Sequence, residues 1–207
     1  MSRTSRRRFL QTAAGTAALT PYILSSAQPV RAEAPSDRLR MGCIGVGSMG
    51  KGDAQGFNNL VDIAAVCDVD AQHLREAQNH PNIGRKDAEG KKINPDGYAD
   101  YRKVLERKDI DVVSVVTVDH WHVKIAVEAL QAGKHVFCQK PLTLTIEENK
   151  LIREACKKYK RTFQVGTQQR SEVERFMTAV LMVQGGQLGD IKRIVCHIDG
   201  SPTCGAI

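Results

Sequence analysis

The sequence predicts an α/β fold with a doubly wound parallel sheet, and three observations carry that prediction. A short apolar run, Leu39 to Ile44, leads into the glycine-rich turn Gly45-Val46-Gly47-Ser48-Met49-Gly50. After a helix-length segment, a second apolar run, Ile63 to Cys67, ends on Asp68. Downstream, β-branched runs alternate with helix-patterned segments, as in repeated strand-crossover-strand units. Together they define a Rossmann-type domain over residues 35–165.

Strand, turn, helix, strand and acid, in that order, make a dinucleotide-binding unit. Gly45 allows the tight turn, Gly47 lets the backbone approach a pyrophosphate, and Gly50 lets the helix pack closely on the strand. The phosphates are expected over the backbone of Val46, Ser48 and Met49, because unpaired N–H groups and the helix dipole favour anions there. Asp68 stands near the offset of ~20 residues expected of an acid that accepts hydrogen bonds from the adenosine ribose. Its charge repels a 2′-phosphate, so NAD is expected rather than NADP. A lone GxGxxG is a weak sign, because glycine also fills ordinary turns; the strand before it and the acid after it give it weight.

Beyond Asp68, Asp70 is expected to cap a helix running through Gln78, and Pro81 to Asp96 reads as a long surface loop rich in Gly, Lys, Asn and Asp. Tyr101 to Arg107 is a short helix. Asp111 to Val118, DVVSVVTV, has the continuous hydrophobicity of a parallel strand buried on both faces. It carries Thr117 to the turn Asp119-His120-Trp121-His122, which holds the chain's single Trp and two of its six His. In open α/β sheets, the carboxyl edge of the strands is where ligands bind, so Thr117, His120, Trp121 and His122 are expected at the cofactor. Capping of the following helix by Asp119 is the plainer alternative. That helix runs through Gln131 to a stop at Gly133, and the strand His135 to Cys138 delivers Gln139-Lys140-Pro141 to the same edge. Pro141 cannot continue the strand's hydrogen bonding and fixes the backbone just past Lys140. A helix from Ile146 to Tyr159 and a strand from Thr162 to Val165 complete the domain.

The chain's 207 residues suffice for one good core and part of another. The formal charge of +7 is concentrated at the start: without the five Arg and one Glu of residues 1–34, 25 basic and 22 acidic residues leave +3. So mild and interspersed an excess makes a solvated surface, not a groove that tracks nucleic acid. Residues 1–34 read as a twin-arginine signal peptide: Ser5-Arg6-Arg7-Arg8-Phe9-Leu10 precedes a weakly apolar stretch and a small-residue cleavage site near Ala34. Export to the periplasm is therefore expected, with no stable membrane insertion after cleavage, because the apolar stretch falls short of the ~20 residues of a spanning helix. The six cysteines show no CxxC pair and no metal-ligand spacing, so no zinc site is expected. Cys43, Cys67 and Cys138 fall in buried strands, where a free thiol is a small hydrophobe.

Taken together, GVGSMG, the acid in VCDVD, the strand and turn VVTVDHWH, GKHVFCQKPLT and FQVGTQQR resemble the Gfo/Idh/MocA oxidoreductases in order and spacing, over about residues 38–199. The resemblance implies NAD-dependent oxidoreduction at a hydroxyl of a sugar, cyclitol or related polyol, in a protein that forms homo-oligomers at full length. It assigns Lys140 to the catalytic lysine that meets substrate and nicotinamide, and places Gln139 beside the cofactor where the family usually has Glu. A glycosidase offshoot of the same superfamily uses NAD transiently, and a non-catalytic dinucleotide-binding module is a further alternative. The resemblance also implies that residues 166–207 begin an α/β substrate domain, whose first strand is expected at Gly189 to Asp199, and whose remainder, with the acid/base residues, is absent from this chain.

Overall fold

Consecutive apolar residues favour strands covered on both faces, and the chain builds such a sheet. In the computed structural model, residues 38–195 are described; the expected signal peptide, Cys196, His197 and Cys204 lie outside them. In chain order the elements of the sheet domain are β1 (Arg40–Ile44), α1 (Ser48–Phe57), β2 (Asp62–Cys67), α2 (Ala71–Asn79), β3 (Arg85–Lys86), β4 (Lys92–Ile93), β5 (Asp96–Tyr98), α3 (Tyr101–Leu105), β6 (Val112–Val115), α4 (His122–Gln131), β7 (His135–Gln139), α5 (Ile146–Tyr159) and β8 (Phe163–Gly166). Six strands pair in the order β5-β2-β1-β6-β7-β8, and every pairing is parallel.

The order reverses between β1 and β6, which makes their carboxyl ends the switch point of the sheet. One core cluster, including Met41, Ile63 and Val66, packs against Ala54 of α1, Ala77 of α2 and Ile83. The other joins Val113, Val115 and Val136 to Val104 of α3, Ile125 and Leu130 of α4, and Ile152 of α5. Helices thus cover both faces, as continuous strand hydrophobicity requires.

Local chemistry sets the helix starts. Asp70 caps α2 by accepting from the N–H groups of Gln72 (2.7 Å) and His73 (3.1 Å). Thr145 and Glu148 form a reciprocal capping box at the start of α5. Asp119 caps nothing: it opens a single 3-10 turn, Asp119–Trp121, with no side-chain cap bond.

Three expectations change. The stretch from Pro81 to Asp96 is not a loop throughout: β3 and β4 form a small antiparallel ribbon, and β5 adds to the edge of the main sheet beside β2. Strands this short, in a polar stretch, carry almost no periodic signal. β6 stops at Val115 and does not reach Val118, because its ladder partner β1 ends at Ile44, opposite Val115. The strand expected from Gly189 is not formed through Val195; no strand pairs with these residues among those described, and a strand without a ladder leaves its backbone unsatisfied. Between β8 and that segment lies α6 (Thr178–Gln184), which buries none of its residues.

Candidate functional site

The site is built around the turn after β1. Gly45 has φ +82°, a conformation that residues with a Cβ rarely adopt, and its N–H donates to the Cys67 carbonyl (2.8 Å). A Cβ on Gly50 would lie 1.9 Å from the Gly45 carbonyl oxygen, so the absence of a side chain there lets α1 start against the turn. Gly47 is different. A Cβ there would meet only the His73 ring at 3.5 Å, so the backbone presents an open face at the end of α1. Helical bonding begins with Lys51 N–H to the Gly47 carbonyl (2.8 Å), and the N–H groups before it point out of the helix end. Val46 is fully buried, whereas Ser48 and Met49 are exposed.

Asp68 lies at the carboxyl end of β2 and faces this turn. Its Oδ2 accepts from Val46 N–H (2.8 Å) and its Oδ1 from Asp70 N–H (2.9 Å). These bonds aim the carboxylate, and because two oxygens have about four acceptor positions, they leave acceptor capacity over. His73 Nδ1 is 3.9 Å from Oδ2.

Beside Asp68 opens an apolar cleft of about 350 Å³ whose lining includes Ile44, Val69, Tyr101, Arg102, Thr117 and Trp121. Tyr101 and Trp121 meet edge to face, with ring centroids 6.4 Å apart, and the Arg102 guanidinium lies 4.8 Å from the Tyr101 ring centre. The Tyr101 hydroxyl donates to Glu128 Oε2 (2.7 Å); burial first, and that acceptor second, push its pKa up to about 12. His120 is exposed on the same turn, its ring centre 6.3 Å from that of Trp121.

Such a geometry fits a dinucleotide: an open backbone face at a helix N-terminus for two phosphates, an aimed carboxylate for ribose hydroxyls, and an apolar cleft for a base. The model of the Gfo/Idh/MocA oxidoreductase family, with its NAD-binding Rossmann fold, matches residues 39–167. This chain belongs to that family. A glycosyl hydrolase family 109 protein of Shewanella pealeana is 37% identical over 161 residues, which span 70% of this chain and 35% of that protein. An inositol 2-dehydrogenase of Salmonella paratyphi B is 30% identical over 155 residues, 73% of this chain and 43% of the relative. Among solved structures, scyllo-inositol dehydrogenase from Lactobacillus casei, crystallised with NAD(H) and scyllo-inositol, aligns with a TM-score of 0.61 and 25% identity over 74% of this chain and 43% of its own. The chain therefore spans less than half the length of these three proteins.

Within this Gfo/Idh/MocA domain, three expected cofactor contacts are revised, the first being Val46, which is fully buried and whose N–H is already donated to Asp68 Oδ2. His122 is 1% exposed and joins two loops: its Nδ1 is 2.7 Å from the Pro141 carbonyl oxygen and its Nε2 3.0 Å from that of Thr117. A neutral ring donates to one of these oxygens and a protonated ring to both; in either case the ring is occupied by protein. Gln139 is 5% exposed, and its amide bonds Asp53 Oδ2 and its own neighbour's N–H (2.9 Å each), so it is turned away from solvent. Lys140 is exposed after β7, with no bond from its ammonium among the described residues, and its peptide bond to Pro141 is cis.

Val69, Tyr101, Arg102 and Asp53 are absent from the sequence-based site. For Tyr101 and Arg102 the one signal is Asp100, a capping residue that marks a helix start; the strand that sets this start at the carboxyl edge, β5, has no trace of its own in the sequence. Cys43, Cys67 and Cys138 are buried, and burial pushes their thiols up to about 12, which makes them inert. Among the described residues, no group of three or more His, Cys, Asp or Glu is placed to hold a metal.

Proposed function

We propose that this protein is an NAD-dependent oxidoreductase acting on a hydroxyl of a sugar, cyclitol or related polyol. The observation that carries the reading is the placement of three groups along one sheet edge: the cleft and Asp68 beside β2, the Gly45 to Gly50 turn at the switch point, and Lys140 after β7. An extended dinucleotide laid across that edge has its adenine in the cleft, its pyrophosphate on the open backbone of Gly47, Ser48 and Met49, and its nicotinamide toward β7. Thr117 and Trp121 wall the adenine side, and His120 flanks it. Asp68 accepts from the ribose hydroxyls and repels a 2′-phosphate, giving NAD preference over NADP. Lys140 holds the substrate hydroxyl in place by charge and hydrogen bonding. NAD, when bound, supplies the two-electron oxidant. The inositol dehydrogenase relatives support a polyol as substrate.

The higher identity of the Shewanella pealeana relative favours a second reading, an NAD-dependent glycosidase. One assay separates the two: a form of the protein that carries the whole substrate domain is incubated with NAD and either a panel of cyclitols and sugars or a panel of aryl glycosides. The first reading expects NADH to accumulate with a polyol and to be lost in Lys140→Ala. Release of the aryl alcohol without net NADH would overturn it in favour of the second. Export by the twin-arginine route belongs to the same proposal and rests on Arg6, Arg7 and Phe9. Replacing both arginines with Lys is expected to retain the protein in the cytoplasm, and undiminished export would refute it.

A further inference from the structure

Gln139 ends β7, and its ladder partner on β8 is Gly166. A Cβ on Gly166 would lie 2.6 Å from Phe137 Cζ and 3.0 Å from Gln139 Oε1, so the glycine leaves the space in which the Gln139 amide lies. The amide is used in both directions. Its oxygen accepts from Lys140 N–H (2.9 Å), and its nitrogen donates to Asp53 Oδ2 (2.9 Å), which is 86 residues away on α1. Asp53 is half-buried; burial raises its carboxyl pKa, and the bond from Gln139 opposes that rise.

We propose that Gln139 is a positioning residue: it ties the backbone of Lys140 to the helix whose N-terminus bears the phosphate turn, and Asp53 is what makes an amide necessary at this position. The donor inventory gives the reason. Toward Asp53 the side chain at 139 must donate, and toward Lys140 N–H it must accept; an amide does both with one planar group. A glutamate in its place accepts in both directions and sets a second carboxylate against Asp53 in a half-buried site, where like charges disfavour each other. The identity of the residue at 139 is therefore read from the residue at 53, far away in sequence. What Lys140 does chemically rests on the function proposed above; the tie itself does not.

The test compares wild type, Gln139→Glu, Asp53→Asn and the double variant by thermal unfolding and by hydrogen exchange of the Lys140 amide followed by NMR. Gln139→Glu is expected to melt ~4–8 °C lower, on the scale by which unpaired charges shift a domain of this size. Asp53→Asn still offers an acceptor to Gln139 and is expected to stay within ~2 °C of wild type. In the double variant the donor and acceptor have changed places, and both melting temperature and Lys140 protection are expected to return. A merely structural role for Gln139 would speed Lys140 exchange no more than that of the β7 core amides, whereas positioning predicts ~10-fold faster exchange at Lys140 beyond theirs in Gln139→Glu, because the carboxylate, repelled by Asp53, swings away and takes with it the acceptor that the Lys140 N–H uses. A double variant no better than Gln139→Glu, or Lys140 exchange that Gln139→Glu does not speed beyond that of the β7 core amides, would overturn the proposal. If the rescue appears but the protein binds no NAD, the tie stands and the proposed function falls.

Discussion

Gly47 and Gly50 sit three positions apart in one turn, yet substituting each is expected to damage a different property. In Gly50→Ala the new Cβ would stand 1.9 Å from the Gly45 carbonyl oxygen, where about 3.4 Å is the ordinary contact, and 3.4 Å from Val116 Cβ. The start of α1 must back away by more than an ångström, against a core that includes fully buried Ala54. Overpacking of that kind costs ~1–3 kcal/mol after allowing for the helix propensity that alanine gains, or ~2–12 °C in melting temperature for a domain of this size. In Gly47→Ala the Cβ meets the His73 ring at an ordinary 3.5 Å, and φ of −63° suits alanine, so stability is expected to fall by only ~0.5–1 kcal/mol, the difference between glycine and alanine as a cap. The same methyl group would occupy the face proposed for the pyrophosphate, and loss of charge-assisted backbone bonds there is worth ~10–100-fold in affinity. Differential scanning fluorimetry and calorimetric titration with NAD read the two effects separately. Wild-type NAD affinity in a folded Gly47→Ala protein, or a Gly50→Ala protein as stable as wild type, would refute this reasoning.

Further expectations follow from the same geometry. Asp68→Asn keeps an acceptor for one of its two backbone donors but removes the charge, so the preference for NAD over NADP should narrow by ~1–3 kcal/mol in parallel titrations; an unchanged ratio would show that Asp68 does not face the ribose. His122→Phe removes the buried ring that bridges the part-buried Thr117 and Pro141 carbonyls, and denaturant unfolding should register a loss of ~1–3 kcal/mol. Arg107 holds Asp109 with two bonds, Nε to Oδ1 (3.0 Å) and Nη2 to Oδ2 (2.7 Å), and lowers its carboxyl pKa to about 2. A depressed acid contributes stability above its unfolded pKa of about 3.9 and loses it as pH falls through the folded value, so that contribution should disappear between about pH 4 and pH 2. Because Asp109 is 38% exposed, solvent screening limits it to about 1 kcal/mol, and Asp109→Asn should flatten stability across that window.

The parts of this fold legible in sequence are those in which one short stretch carries its own physical reason. Buried parallel strands read as unbroken apolar runs, Asp70 announces a helix start, and the Gly45 to Gly50 turn needs small residues at fixed offsets. The ribbon and edge strand between Arg85 and Tyr98 left almost no local trace, because their stability comes from neighbours and not from pattern. The site divides in the same way. Asp68 and the turn stood out, but the fates of Gln139 and His122 depend on Asp53, Gly166 and the Thr117 and Pro141 carbonyls, which only folding brings to them. An amide at a strand's carboxyl end has the chemistry of a ligand contact; its burial against Asp53 exists only in the tertiary structure.

The central claim is that the Gly45 to Gly50 turn, Asp68 and the neighbouring cleft form one NAD site, and calorimetric titration of the folded protein with NAD and with NADP tests it most directly. Saturable one-to-one binding of NAD, weaker binding of NADP, and loss of the NAD signal in Gly47→Ala are predicted. No heat of binding from either dinucleotide, or binding that Gly47→Ala leaves intact, would contradict it.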